Sequence, residues 1–297
     1  MKISLVYKLL ILVLPALPFT VRGQEGSGDE KAKPIAELPA SDAKEKAKPY
    51  RPPTPEEMDS PVIKAICKTF GTPKGGVRLS PEARLWVNKE KRQVIIDGFI
   101  AINEGPLEMF ACPIGTKEHE SAVSLLARSR FVHAALLAVA STPGRPVRFR
   151  PEFTPPTGDR IGITILWKDK NGASRKVKAQ EWVCRTGTEE TLDVDWVFCG
   201  SQWWTDPQTG RDFYTADDGD LVCVSNFSSA TLDIPIESSK ANEALAFSAY
   251  TKKMPPIDTP IRMVMQPLDP PLNARSKAKE TDSEKAATSN PAKAADK

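Results

Sequence analysis

The residues best suited to chemistry lie in one short segment, ACPIGTKEHESAV, which runs from position 111 to position 123. It contains Cys112 and His119, with Glu118 and Glu120 on either side of the histidine. Thiolate sulfur, imidazole nitrogen and carboxylate oxygen all bind zinc, so Cys112, His119 and the second histidine of the chain, His133, are candidate metal ligands. A cysteine paired with a histidine can also act as a catalytic nucleophile. The segment is therefore a candidate metal centre, a candidate active site or an unusually polar turn.

The local spacing completes none of the common catalytic motifs. Val123 stands where a helical H-E-x-x-H zinc motif needs its second histidine. Cys112 ends an apolar stretch and precedes Pro113, whereas a reactive cysteine needs a cation or a helix N-terminus to lower its pKa. We therefore expect an inert Cys112. We expect His133 to be a hydrogen-bonded core side chain on a buried helix.

A non-catalytic binding domain is favoured for the protein, and a metal-binding protein or metal-dependent enzyme is the alternative. A metal-binding protein or metal-dependent enzyme would use Glu108, Cys112, His119 and Glu120. The spacing indicates no particular reaction, ligand or cofactor. The candidate functional patch consists of Glu108, Cys112, Lys117, Glu118, His119 and Glu120.

A second candidate lies between Gly200 and Asp220, where two adjacent tryptophans are followed by five aspartates. Because side chains alternate along a strand, either Trp203 or Trp204 would face outward. Exposed aromatic rings beside carboxylates can stack on sugars or accompany a calcium site, although the aspartate spacing is not that of an EF-hand. The alternative is a polar hairpin around positions 206–210 that is anchored by packed tryptophans.

The five cysteines, at positions 67, 112, 184, 199 and 223, include no C-x-x-C pair. This spacing argues against a zinc ribbon, a thioredoxin-like motif and the common iron–sulfur clusters. Cys199 and Cys223 are predicted to lie in two strands of one sheet, so they are the favoured disulfide pair if the protein is exported. The alternative is that several cysteines are small buried hydrophobic residues.

The elements that must position these residues are mostly strands. The sequence predicts a strand–turn–strand over 84–102, a strand at 106–112, and either a strand or the start of a helix at 121–126. It also predicts a hairpin over 160–179 that turns at Asn171-Gly172. Positions 196–200, 213–216 and 221–224 are predicted to form a meander, and more strands follow at 231–234, 245–249 and 260–265. One buried helix is predicted over about 129–141, with Ser129 as its cap. The predicted fold is a β-dominated α+β domain of antiparallel strands and hairpins.

The two ends of the chain have a different composition. Residues 1–23 have the basic start, short apolar run and small final residue of a signal peptide, and that run is too short to span a membrane. Residues 24–60 and 270–297 are rich in Pro, Lys, Glu and Ala and are expected to be disordered, which leaves a folded domain over 61–269. Since 41 basic and 38 acidic side chains nearly balance, no nucleic-acid partner is expected.

Several longer stretches resemble proteins of the YdjY-domain family. They are GPLEMFACPIGTKEHES, VHAALLAVASTPGRPV, WVFCGS, ADDGDLVCVSNF and ATLDIPIESS, and the resemblance covers roughly residues 75–268. The G-T-K-E-H-E-S stretch is the most specific of them. The proteins of this family are exported bacterial proteins, abundant in planctomycetes.

The resemblance implies an exported protein, periplasmic or secreted, from a family without an established activity. Some relatives are described as ferredoxin-like because of a cysteine-rich cluster, and this chain has no such cluster. We therefore expect a non-catalytic domain that binds a protein, an envelope component or a small ligand.

Overall fold

The structure, a computed structural model, describes residues 59–238 and 244–272. The predicted signal peptide, nearly all of the predicted linker and most of the predicted C-terminal tail lie outside these residues, so the division of the chain stays a prediction. None of the helices among the described residues is long and apolar enough to span a membrane.

The described residues contain two α-helices and seventeen short strands. The helices are α1 (Pro61–Thr69) and α2 (Ser129–Ala138), and 3-10 turns occupy Glu118–Glu120, Ala179–Trp182 and Thr215–Asp218. The strands are β1 (Val77–Arg78), β2 (Leu85–Asn88), β3 (Gln93–Ile100), β4 (Met109–Pro113), β5 (Ser121–Leu125), β6 (Pro143–Arg145), β7 (Thr157–Gly158), β8 (Arg160–Lys168), β9 (Ser174–Lys178), β10 (Val183–Arg185), β11 (Trp196–Phe198), β12 (Trp203–Thr205), β13 (Asp212–Tyr214), β14 (Val222–Cys223), β15 (Leu232–Asp233), β16 (Phe247–Ala249) and β17 (Pro260–Pro267).

Eight strands close into a barrel-like ring in the order β3-β17-β8-β11-β15-β14-β4-β5, with β5 pairing back onto β3. The pairs are antiparallel except for β14–β15 and β4–β5. Strand β3 can close the ring because it changes partners along its length. Its first half pairs with β2 and its end pairs with β5, while β17 runs along the other side. Closure satisfies the backbone groups that an open sheet would leave at its edges.

The interior of the ring is filled by alternate residues of its long strands. Val94 and Ile96 of β3, Ile163 of β8 and Met263 and Met265 of β17 belong to one buried cluster. Helix α2 adds Val132, Ala135 and Leu136 to the same cluster, whereas α1 packs Ile63 and Ile66 against Leu126 in a separate one. Each such side chain contributes about 1.5–3 kcal/mol on burial.

The point where β3 changes partners is marked by a buried carboxylate, Asp97. The Arg84 Nε donates to Asp97 Oδ2 at 2.9 Å and the Arg262 Nε donates to Oδ1 at 2.6 Å. Both guanidinium groups also lie over the ring of Trp86. Two cations and one fully buried anion thus join the loop before β2 to the far strand β17.

The fold class is confirmed: the domain is β-dominated with few helices. The predicted strand–turn–strand is β2–β3, and the hairpin at Asn171-Gly172 is β8–β9. The predicted long helix is α2, but it ends at Ala138, and Arg128 rather than Ser129 occupies the cap position. Because Leu137 is exposed, α2 buries one face and not its whole circumference.

The structure differs from the sequence predictions in two details of the fold. The prediction of one helix missed α1, whose first residue is a proline preceded by the capping Ser60. The predicted meander does not exist, because β11 pairs with β8 and β15, β13 pairs with β12, and β14 pairs with β4 and β15. The chain between β11 and β14 folds into its own hairpin and leaves the ring.

Candidate functional site

The polar part of the first candidate segment is a short crossover between two parallel strands. Met109 of β4 lies opposite Ser121 of β5, so the chain must return along the strand direction between them. Such connections usually need a dozen or more residues, but here residues 114–120 suffice. We call residues 114–120 the crossover. A return this tight requires side chains that hold the chain in place.

Lys117 anchors the crossover to a distant part of the domain. Its Nζ lies 2.5 Å from Asp220 Oδ1 and 3.7 Å from Glu120 Oε1, and it stands 5.1 Å from the centre of the Phe227 ring. Asp220 also accepts a hydrogen bond from the hydroxyl of Ser229. Burial acts to lower the pKa of Lys117, but the carboxylates of Asp220 and Glu120 outweigh it and the pKa is raised. The lysine is therefore a buried cation held by carboxylates.

The two acidic neighbours of His119 contact different groups: Glu118 binds the backbone of the crossover and Glu120 lies near Lys117. Glu118 accepts hydrogen bonds from the backbone N–H of Gly115 and from Ser124 Oγ, the latter at 3.2 Å. His119 itself is exposed, and its Nε2 lies 3.7 Å from Glu120 Oε2. Of Lys117, Glu118, His119 and Glu120, only His119 is exposed, and the other three are half-buried.

Cys112 lies in a fully buried cluster with Met109, Cys223, Phe227 and Ala230. Burial, reinforced by the nearby charge of Glu118, raises the pKa of the Cys112 thiol to about 12. A protonated thiol is neither a nucleophile nor a good metal ligand at neutral pH. This environment is that of an inert core cysteine.

The three predicted metal ligands have different surroundings. Cys112 is in the core and His119 is in solvent, whereas the Nδ1 of His133 lies 2.9 Å from the hydroxyl of Tyr214. Glu108 is buried at the start of β4, where its carbonyl accepts the N–H groups of residues 224 and 225. Among residues 59–238 and 244–272, no group of three or more His, Cys, Asp or Glu is arranged to hold a metal ion.

The predicted disulfide between Cys199 and Cys223 is not formed, and both thiols are free and buried. Strand β15 lies between β11, which ends beside Cys199, and β14, which carries Cys223. Two strand spacings amount to about 9–10 Å, whereas a disulfide needs Cα atoms less than about 7 Å apart. The two cysteines act as small hydrophobic residues, as the alternative predicted.

The second candidate is a two-stranded aromatic hairpin, β12–β13, that stands apart from the ring. Trp203 is 69% exposed, Trp204 50% and Phe213 39%. Trp203 pairs across the strands with Tyr214, at 5.1 Å between ring centres, and Trp204 pairs with Phe213 at 5.8 Å. Both tryptophans face solvent, one from each side of the hairpin, so they do not anchor it in the core.

Hydrogen bonds hold the tip of the aromatic hairpin. At the tip, Asp206 accepts from the backbone N–H of Gln208 at 2.9 Å and from Thr209 Oγ1 at 2.7 Å. Between the strands, Thr205 Oγ1 donates to Asp212 at 2.6 Å. These carboxylates organise the turn.

Hydrogen bonds also hold the root of the hairpin. The hydroxyls of Ser201 and Thr215 lie 2.9 Å apart, and the backbone N–H of Gln202 donates to Thr215 Oγ1 at 3.1 Å. The contact between Tyr214 and His133 joins the hairpin to α2. The exposed rings are thus presented on a pre-formed element and not on a loose loop.

Residues 85–266 match the family model of the YdjY domain. The chain belongs to the YdjY-domain family. No curated protein and no solved structure matches it. The match spans β2 to the end of β17, so the crossover and the aromatic hairpin both lie within the YdjY domain.

Within this YdjY domain, the sequence predicted the location of both candidates but not their partners. The partner of Lys117 is Asp220, 103 positions away, and no local pattern joins them. His133 was predicted as a core histidine, and it is half-buried beside the aromatic hairpin. The adjacent pair of tryptophans was the signal for the exposed surface, although the sequence predicted only one ring in solvent.

A shallow groove of about 400 Å³ also lies over β8, β9 and β17. Its polar side chains include Lys176, Lys178 and the amides of Gln93 and Gln266, which bond to each other at 3.1 Å. None of its lining residues belongs to the crossover or to the aromatic hairpin. It is a separate surface feature of the domain.

Proposed function

We propose that this YdjY-domain protein is an exported, non-catalytic binding domain of the bacterial envelope, and that the aromatic hairpin is its contact element. The observation that supports the proposal is the exposure of Trp203, Trp204 and Phe213 on a hydrogen-bonded hairpin. Large apolar side chains that a fold leaves exposed are characteristic of interaction sites. Tryptophan and tyrosine are also enriched among the few residues that dominate binding energy at interfaces.

The rigidity of the hairpin supports the same proposal. A two-stranded hairpin alone is marginally stable in water, so the tip and root bonds must hold it. Rings that are already fixed lose little conformational entropy when a ligand covers them. Such a surface is suited to binding at low entropic cost.

The residues in and before the crossover that first suggested chemistry make contacts within the fold, which supports a structural role for them. Lys117 and Glu118 each bond to groups within the fold, and Cys112 is buried with a raised pKa. The placement outside the cytoplasm rests on the signal-peptide pattern of residues 1–23.

The test is a binding assay on purified envelope fractions with the variant Trp203→Ala/Trp204→Ala. Sedimentation with peptidoglycan sacculi, total envelope polysaccharide or membrane vesicles measures the bound fraction. Loss of two central tryptophans should weaken binding at least about 30-fold, since an interface tryptophan contributes about 2 kcal/mol or more. The matched control, Val77→Ala/Ile257→Ala, removes exposed apolar groups elsewhere and should bind like the wild type.

Near-UV circular dichroism and thermal melting check that the variants remain folded. Trp203→Phe/Trp204→Phe keeps the aromatic faces and should restore part of the binding. If the alanine variant remains folded and binds every fraction as tightly as the wild type, the aromatic hairpin is not the contact element.

A further inference from the structure

A second exposed arm, the basic loop (residues 145–153), extends from the domain between β6 and β7. Its sequence is RPVRFRPEF, so it carries three arginines and two phenylalanines against one glutamate. Arg145, Arg148 and Arg150 are all exposed, and so is Phe149. Within the described part of the chain, no salt bridge or side-chain hydrogen bond engages these three guanidinium groups. Their charge is available to a partner.

Backbone hydrogen bonds and packing hold the basic loop in a defined conformation. Arg148 and Thr154 exchange backbone hydrogen bonds of 3.1 and 2.8 Å, which close it into a narrow turn. Within the loop, Val147 is buried, and the rings of Phe149 and Phe153 lie 6.3 Å apart. The arginines therefore project from a loop whose conformation is fixed.

The base of the loop is packed so tightly that only glycine fits. A Cβ on Gly144 would lie 2.1 Å from the carbonyl oxygen of Thr157, and a Cβ on Gly158 would lie 1.9 Å from that of Phe198. Gly158 also has a φ of +142°, which side chains rarely permit. Strands β6 and β7 are thereby held against β11 of the ring.

The basic loop and the aromatic hairpin share one root. A Cβ on Gly200, just before the hairpin, would lie 2.9 Å from the Cβ of Pro143, where β6 begins. Since each residue spans at most about 3.5 Å, Arg145 lies within about 25 Å of Trp203. A ligand about 25 Å long is therefore long enough to span the two arms.

We propose that the two arms together bind an anionic glycan, with the tryptophans stacking on sugar rings and the arginines of the basic loop pairing with carboxylate or phosphate groups. This ligand rests on the proposed function of the aromatic hairpin and specifies it further. Guanidinium groups bond to both oxygens of a carboxylate or phosphate, which suits them to anionic polymers.

The arrangement of the hairpin favours a glycan over a lipid surface. A membrane-inserting arm would carry its apolar side chains at the tip, but here the tip is Asp-Pro-Gln-Thr-Gly, positions 206–210. The aromatic rings lie along the strands, one pair on each face of the arm, where a glycan chain lying along a face would meet them.

The experiment measures binding of the full-length protein to polygalacturonate, with neutral dextran of similar length and phosphatidylglycerol vesicles as comparison probes. Tryptophan emission should shift to the blue on binding, because Trp203 and Trp204 would leave water. We expect binding to polygalacturonate that weakens with added salt, and weaker binding to dextran. The variant Arg145→Gln/Arg148→Gln/Arg150→Gln should bind polygalacturonate at least about 10-fold more weakly, since charged hydrogen bonds are lost.

The charge-matched control is Lys89→Gln/Lys91→Gln/Lys170→Gln, which removes three exposed charges outside the two arms and should bind like the wild type. Equal affinity of the arginine variant and this control would overturn the anionic ligand and leave the hairpin proposal in place. Binding to the vesicles but not to polygalacturonate would replace the glycan with a membrane. No binding to polygalacturonate would also overturn this inference, and the envelope-fraction assay decides the hairpin proposal separately.

Discussion

Replacement of Lys117 by methionine tests whether the crossover is a structural lock. The side chain of Lys117 is 14% exposed and that of Asp220 is 5% exposed, so the substitution leaves a nearly buried carboxylate without its cation. Ser229 still donates to Asp220, but a neutral hydroxyl does not replace the lost charge. We expect Lys117→Met to destabilise the domain.

The magnitude follows from the geometry of the pair. Removal of one partner of a buried ion pair typically costs about 3–5 kcal/mol. The residual exposure and the bond from Ser229 place this case at the lower end, about 3 kcal/mol. For a domain of about 200 residues, 1 kcal/mol shifts Tm by about 2–4 °C, so the expected decrease in Tm is about 6–12 °C.

The assay is thermal and urea unfolding of three variants. Lys252→Met is the matched control, because Lys252 pairs with Glu189 in an exposed salt bridge. Its effect should stay within about 0.5 kcal/mol. Lys117→Met/Asp220→Asn removes the unpaired charge as well and should recover part of the stability.

A Lys117→Met variant as stable as Lys252→Met would refute this reasoning. The crossover would then be held by its backbone alone, and the charged residues of the G-T-K-E-H-E-S stretch would again be candidates for direct contact with a ligand. A double variant less stable than Lys117→Met would point instead to a role for the Asp220 carboxylate apart from the pair.

Two further predictions concern thiol reactivity and pH. A thiol reagent should modify Cys67 in the native protein, because it is exposed, much faster than the buried Cys112, Cys199 and Cys223; peptide mass spectrometry measures this, and equal rates would contradict the burial argument. Burial lowers the pKa of His133, so the unfolded chain takes up a proton first and stability falls as the pH drops below about 6.5. Urea unfolding at about pH 7.5 and about pH 5 should show a smaller loss in His133→Gln than in the wild type; an equal loss would assign the pH dependence to other groups.

The ring order explains why the predicted disulfide was wrong. Cys199 and Cys223 do lie at or beside strands of one sheet, as the sequence predicted. Their separation depends on β15, which follows both strands in the chain but lies between β11 and β14 in the sheet. Sequence proximity of two strands does not determine whether a later strand enters between them.

Local patterns determined much of this protein. The β-dominated class, helix α2 and the hairpin at Asn171-Gly172 follow from side-chain alternation, helical periodicity and turn chemistry, all of which depend on residues a few positions apart. The family also follows from the sequence, since the family model matches residues 85–266. These are properties that neighbouring residues impose on the backbone.

Tertiary structure alone decided which residues meet. It brought Asp220 to Lys117 across 103 positions, and it brought Arg262 to Asp97 across 165. It also left Trp203 and Trp204 both in solvent and rooted the basic loop beside them. Burial and charge pairing depend on groups far apart in the chain, so they are settled only when the strands close into the ring.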